Sequence, residues 1–275
     1  MCDQHYEADL DGYLRSTGMT RRRFGALGVA MGLMAVLPRA ANALDVSESE
    51  VEVRTPDGVA DCYFVYPASG AHAGVLVWPD ALGLRPAFRR MGRRLAESGY
   101  AVLVVNPYYR QQRAPVIPDG ATFAEQSTRD VVMPLYQSLD ARTHVTDAKA
   151  FVAWLDAQAP GDTKRKPRTM GHCRGETLFI DARKLGTMGY CMGGPITMRT
   201  AAALPERIGA GASFHGGGLV TDQPDSPHLL VPRMKARYLI AIAENDDARE
   251  PQAKDVLREA FAAAALPAEI EVYAG

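Results

Sequence analysis

Gly189-Tyr190-Cys191-Met192-Gly193-Gly194 is the stretch on which the fold turns. It has the form G-x-C-x-G, the spacing of a sharp strand-to-helix turn with a nucleophile at its tip. Such a turn holds the nucleophile in a strained backbone conformation. Side chains on either flank would collide with strand and helix, which is why both flanks are glycine. Cysteine at the tip points to a thiol hydrolase on an α/β sheet. Gly and Cys also meet in ordinary turns, so the surroundings must carry the argument.

Those surroundings alternate strand and helix. Gly74–Trp78 is a continuous apolar run, as in a strand buried on both faces, and Pro79-Asp80 stops it. Pro86 can open a helix with Phe88, Met91 and Leu95 at helical spacing, closed by Gly99. Tyr100–Val105 is a second buried strand, ended by Asn106-Pro107. Before these, Val51–Thr55 and Asp61–Tyr66 read as strands about the turn Pro56-Asp57-Gly58. Asp147–Gln158 is helical, with Ala150, Phe151, Trp154 and Leu155 on one face. After the elbow come a helix at Pro195–Leu204 and strands at Ile208–Phe214, Tyr238–Ala243 and Glu269–Tyr273. An alanine-rich helix spans Gln252–Leu266. Residues 108–145 lack clear periodicity and hold several prolines, so they read as an excursion near a site. The alternation predicts one domain with a mostly parallel central sheet and helices on both faces.

Bulk properties narrow the function. The balance of 31 Lys+Arg against 32 Asp+Glu gives no global field for nucleic acid. Four cysteines (Cys2, Cys62, Cys173, Cys191) are too few for a disulfide scaffold in 275 residues. No His/Cys/carboxylate cluster has metal-ligand spacing, and no cofactor motif is present. Residues 1–43 read as a leader rather than fold. Arg21-Arg22-Arg23 resembles a twin-arginine signal, a short apolar run follows, and Ala41-Asn42-Ala43 offers a cleavage site. The expected partner is then the twin-arginine export machinery. The expected location is periplasmic or secreted, with no stable membrane association after cleavage. Residues 44–275 form the domain.

A thiol nucleophile needs a base, and the base needs an orienting group. At a helix N-terminus the dipole is expected to lower the Cys191 thiol pKa. The N–H of Met192 is placed to serve an oxyanion hole. The second donor is expected from the loop after Gly74–Trp78, with Ala81 the candidate. In this fold the acid follows the nucleophile in the chain and the histidine comes last. Glu244-Asn245-Asp246-Asp247 directly follows a core strand, and Asp246 is preferred there over Asp247 and Glu244. The histidine belongs after Glu269–Tyr273, where only Ala274 and Gly275 follow. His215 ends a strand one position too early. His228 follows Pro227 in a loop and suits a structural hydrogen bond. Thr169–Glu176 echoes Thr187–Gly194 at five of eight positions and also satisfies G-x-C-x-G. No strand leads into it, so Cys191 is preferred over Cys173.

Taken together, several segments resemble the dienelactone hydrolase family (carboxymethylenebutenolidases), within the α/β-hydrolase superfamily. They are Trp78–Arg85, Gly99–Arg110, Gly189–Gly194, Ser213–Gly218 and Ala243–Asp246, and the likeness runs from Val46 to Gly275. The resemblance implies a Cys-Asp-His triad that opens a lactone or small ester through an acyl-enzyme, with Cys191 and Asp246 matching two members. It implies that Arg110 anchors a substrate carboxylate, chemistry suited to a bidentate guanidinium. It places Asp80 where the family has a glutamate against the resting thiol. The family histidine lies a few residues past the last strand, so the chain is expected to be C-terminally truncated and to turn over lactones poorly. The competing readings are a binding protein that keeps the pocket without the triad, and a redox thiol protein using Cys191 with Cys173. No C-x-x-C supports the latter.

Overall fold

The computed structural model of the chain describes residues 43–158, 179–180 and 184–273. The leader through residue 42, the Cys173 motif, His5 and His172 lie outside the described residues. Cys62 is a buried free thiol.

In chain order the sheet is built from β1 (Val46–Thr55), β2 (Gly58–Pro67), β3 (Ala71–Trp78), β4 (Tyr100–Val105), β5 (Phe179–Ile180), β6 (Leu185–Tyr190), β7 (Ile208–Phe214), β8 (Arg237–Ala243) and β9 (Ala268–Tyr273). The spatial order is β1-β2-β4-β3-β6-β7-β8-β9, with β5 beside the start of β3. β1 and β2 form an antiparallel hairpin, β2 meets β4 antiparallel, and the pairings from β4 through to β9 are parallel. The hairpin strands are longer than the sequence suggested. In Ser47–Glu52 the polar and charged residues obscure the apolar alternation, because β1 is a half-exposed edge.

Period-two alternation splits the core between two faces. Leu76, Trp78, Leu103 and Val105 point into one layer, with Phe151, Leu155, Ile196, Leu257 and Phe261. Val75, Val77, Val102 and Val104 point into the other, with Phe88, Leu95 and Ala96. The first layer is covered by α3 (Ala141–Asp156), α4 (Gly193–Ala203) and α6 (Ala253–Ala263), the second by α1 (Pro86–Glu97). Burying a side chain such as Phe151 or Leu155 is worth about 2 kcal/mol, so these stripes fix which helix covers which face.

The stretch read as irregular between residues 108 and 145 holds a helix, α2 (Gln126–Gln137), and the start of α3. α2 buries only Thr128, Val132 and Leu135, and Pro134 sits inside it. One polar member on a thin face, plus an internal proline, hides the helical period. α3 begins six residues before its predicted start. Asp140 caps it by accepting from the Thr143 N–H (2.7 Å), while Thr143 Oγ1 accepts from the Asp140 N–H (2.8 Å).

All the parallel strands end on the same edge. Asp80 and Ala81 follow β3, Tyr108–Arg110 follow β4, Cys191 follows β6, His215 follows β7 and Asp246 follows β8. In open α/β sheets this carboxyl edge is where ligands bind.

Candidate active site

Cys191 sits between β6 and α4 at φ 51°, in the left-handed region that a side chain disfavours. Its N–H donates to the Phe214 carbonyl (3.0 Å), and its own carbonyl accepts from the Gly194 N–H (3.0 Å). The flanking glycines are forced by close approach. A Cβ on Gly189 would collide with the Gly193 backbone, and one on Gly193 with the carbonyls of Trp78 and Pro79. The helix therefore starts in contact with the ends of β3 and β6, leaving the thiol at the crest of the turn.

The backbone N–H groups of Met192 and Ala81, from two elements distant in sequence, lie near enough to the Cys191 sulfur to favour its thiolate. The expected low thiol pKa is reversed. Burial raises it most, the charges of Asp80 and Asp246 add to this, and the two N–H groups only partly compensate. Taking the sulfur out of water outweighs the helix terminus, so the resting group is a thiol.

Asp80 braces the loop it begins. Its carboxylate takes both guanidinium nitrogens of Arg85 (2.6 and 2.8 Å) and accepts from the Leu82 N–H (2.9 Å). Its charge still reaches Cys191, but both its oxygens are engaged within the loop, which argues against a direct role in holding substrate. Tyr108, not singled out from the sequence, is fully buried beside this loop. Its hydroxyl donates to the Ala81 carbonyl at 2.9 Å and lies 3.2 Å from Met192 Sδ.

Asp246 lies on the short helix α5 (Glu244–Arg249) and is partly buried. Of its neighbours, Asp247 is taken by Lys254 (2.7 Å to each oxygen) and Glu244 is exposed. Asp246 meets Arg249 at 3.5 Å and lines a small cavity with Gly216, Gly217 and Ile242. Three of the four described histidines are committed elsewhere or poorly suited as a base. His72 bonds the carbonyls of Gly99 and Ser69, and His228 Nδ1 bonds Ser226 Oγ (2.7 Å). His144 on α3 is pushed down to about 3 by burial and then by Arg199, too weak a base near neutrality. His215 is in the left-handed region at φ 41°, its ring 6.5 Å from that of Tyr190.

Arg110 is placed differently from the expectation of a free carboxylate anchor. Its guanidinium binds both oxygens of Asp147 (2.6 and 2.9 Å) and one of Asp57 (3.0 and 2.7 Å). It also stacks on Tyr109, centroid distance 4.5 Å. Asp147 on α3 is almost wholly buried and also accepts from the Tyr109 hydroxyl. A substrate carboxylate would have to displace one of these acids, so the geometry assigns Arg110 to pinning the β1–β2 turn onto α3.

A mostly parallel sheet in this order, with a strained elbow opposite a second N–H donor, is the architecture of an α/β hydrolase. The chain belongs to the dienelactone hydrolase family, whose sequence model matches residues 60–275. It is 28% identical over 280 residues to a "Putative carboxymethylenebutenolidase" of Methylorubrum extorquens, covering 98% of this chain and 86% of the relative. It is 24% identical over 223 residues to a carboxymethylenebutenolidase of Rhodococcus opacus, covering 80% and 75%. Among solved structures, a "Putative Dienelactone Hydrolase" of Klebsiella pneumoniae superposes with TM-score 0.64 at 21% identity, over 83% of this chain and 85% of that one. A dienelactone hydrolase-like promiscuous phosphotriesterase from metagenomic libraries gives 0.60 at 20%, over 84% and 82%. These structural likenesses establish the shared fold.

Proposed function

We propose that the protein is a cysteine-dependent hydrolase of lactones or small carboxylic esters. The observation that carries this reading is the strained elbow that holds Cys191 at φ 51° between two glycines with no room for a side chain, with the Met192 and Ala81 N–H groups near its sulfur. Donors gathered there favour the thiolate as it forms and then the oxyanion of the tetrahedral intermediate. Because the thiol rests protonated, attack requires its proton to leave in the same step, by transfer to a base. The sulfur then forms a thioester, the alcohol oxygen departs with a proton, and water releases the acid. Asp246 orients the base. Tyr273 pairs with Ala243, so the end of β9 adjoins the end of β8, three residues before Asp246, which supports Asp246 as the acid for a base supplied from beyond β9. With Arg110 bound to two acids, uncharged esters suit the described site better than carboxylate-bearing ones. The Arg21–Arg23 leader supports export by the twin-arginine machinery, so the reading places the enzyme in the periplasm or outside the cell.

The test is covalent. Mixed with 4-nitrophenyl acetate, the chain is expected to release 4-nitrophenol and gain an acetyl group on Cys191. Both signals should vanish in Cys191→Ser. Release that survives this substitution, or acetyl found elsewhere, would refute the reading.

A further inference from the structure

Tyr108 joins the two donor residues of the site. It lies three residues past the end of β4, 1% exposed, with its ring packed near Gly83 in the loop between β3 and α1. A tyrosine hydroxyl carries one proton, and here it faces two acceptors, the Ala81 carbonyl at 2.9 Å and Met192 Sδ at 3.2 Å. Ala81 belongs to the β3–α1 loop and Met192 to the N-terminus of α4. They are the same two residues whose N–H groups favour the Cys191 thiolate.

We propose that Tyr108 is a positioning residue that sets the spacing of the two oxyanion donors by tying the Ala81 loop to Met192. The proposal rests on the reading of those N–H groups given under the proposed function. Holding the Ala81 carbonyl fixes the orientation of the residue whose N–H must point at the sulfur. Met192 has an unbranched side chain with three rotatable bonds, and a contact at Sδ restricts it. A single oxygen thus steadies donors from two elements, and donors of this kind must sit about 3 Å from the developing charge. A buried tyrosine hydroxyl that merely satisfies its own burial would need one partner, of any kind. The two found here are both donor residues.

Tyr108→Phe removes the oxygen and keeps the ring. In the 275-residue chain, two measurements separate positioning from simple structural support. The first is the rate of Cys191 acylation by 4-nitrophenyl acetate. The second is the pH dependence of Cys191 alkylation by iodoacetamide, read on the Cys191 peptide by mass spectrometry. With Asp80 and Asp246 still facing the thiol, looser N–H donors should raise the alkylation midpoint. Acylation should slow about tenfold or more at unchanged half-saturating ester concentration. Wild-type rate and wild-type midpoint in Tyr108→Phe would overturn the proposal. If acylation proves independent of Cys191, the hydrolase reading fails, and the alkylation profile still decides the role of Tyr108. Met192→Leu guards against a folding artefact, since it keeps the volume and removes the sulfur. If the hydroxyl and Sδ act as one unit, Met192→Leu should slow acylation alone and add little in a Tyr108→Phe background. Full additivity of the two would overturn the link through Met192.

Discussion

The two halves of the site are built to different standards. The half proposed to hold the nucleophile is fixed by backbone packing, with Gly189 against Gly193, Gly193 against the end of β3, and Tyr108 bridging Ala81 and Met192. The half proposed to hold the acid rests on α5, a six-residue helix with no fully buried residue, where Asp246 meets an exposed Arg249 at 3.5 Å. The contrast has a chemical logic. Oxyanion donors must be placed before the charge appears, because mobile dipoles would spend energy reorienting. A carboxylate that orients a base acts through that base, and it tolerates more play.

The severest way to break the comparison is Gly193→Ala. The added carbon has only the carbonyls of Trp78 and Pro79 to displace, and both are backbone. A loss of more than about 3 kcal/mol is expected, because a central sheet strand cannot step aside as a flexible side chain would. Soluble yield and thermal midpoint measure it. A variant that folds with a near-normal midpoint would show that the elbow is looser than its contacts imply.

A second contrast lies between two Arg–Asp pairs. Arg110 and Asp147 meet at 2.6 Å with side chains 19% and 2% exposed, whereas Arg249 and Asp246 meet at 3.5 Å with 71% and 24% exposed. Arg110→Ala strands the buried Asp147 carboxylate with only the Tyr109 hydroxyl as a described side-chain partner. Burial already raises the Asp147 pKa while Arg110 opposes that rise. Removing one member of a buried pair costs about 3 kcal/mol, and here the loss should appear as a lower thermal midpoint with half-saturation by a neutral ester unchanged. The opposite pattern, an intact midpoint with weakened binding of carboxylate-bearing esters alone, would restore Arg110 as a substrate anchor.

Much of the frame was legible because its signals are local. Tyr100–Val105 is apolar on both faces and was delimited to the residue, and Ile208–Phe214 likewise. The elbow was legible because only glycine fits its flanks. Met192 and Ala81 were named from their places after the elbow cysteine and after an earlier central strand, and both lie near that cysteine. What stayed hidden depends on distant partners. Arg110 finds Asp57 and Asp147 at separations of 53 and 37 residues, which no local pattern encodes. Tyr108 only opened a stretch without clear periodicity, since its hydroxyl gains meaning only once Ala81 and Met192 are close. The thiol pKa was misjudged for a related reason. The helix terminus shows in the sequence, while the burial that outweighs it does not.

The mildest expected effect tests the acid half directly. Asp246→Asn keeps the shape of the side chain and removes its charge. No residue of α5 is fully buried, and the lost ion pair joins Asp246 to an exposed arginine, a contact worth less than about 1 kcal/mol and screened by salt. The thermal midpoint should therefore barely move, and moderate salt should abolish what difference remains. The thiol should respond more clearly. The Asp246 charge helps hold the Cys191 pKa up, so Asp246→Asn should lower the pH midpoint of Cys191 alkylation. Tyr108→Phe is expected to shift the same midpoint upward, so opposite movements in one assay would separate the charge of the acid half from the hydrogen bonds of the nucleophile half. A fall in thermal midpoint as large as that of Arg110→Ala would show instead that α5 is held by more than its exposed ion pair, and the contrast between the halves would not stand.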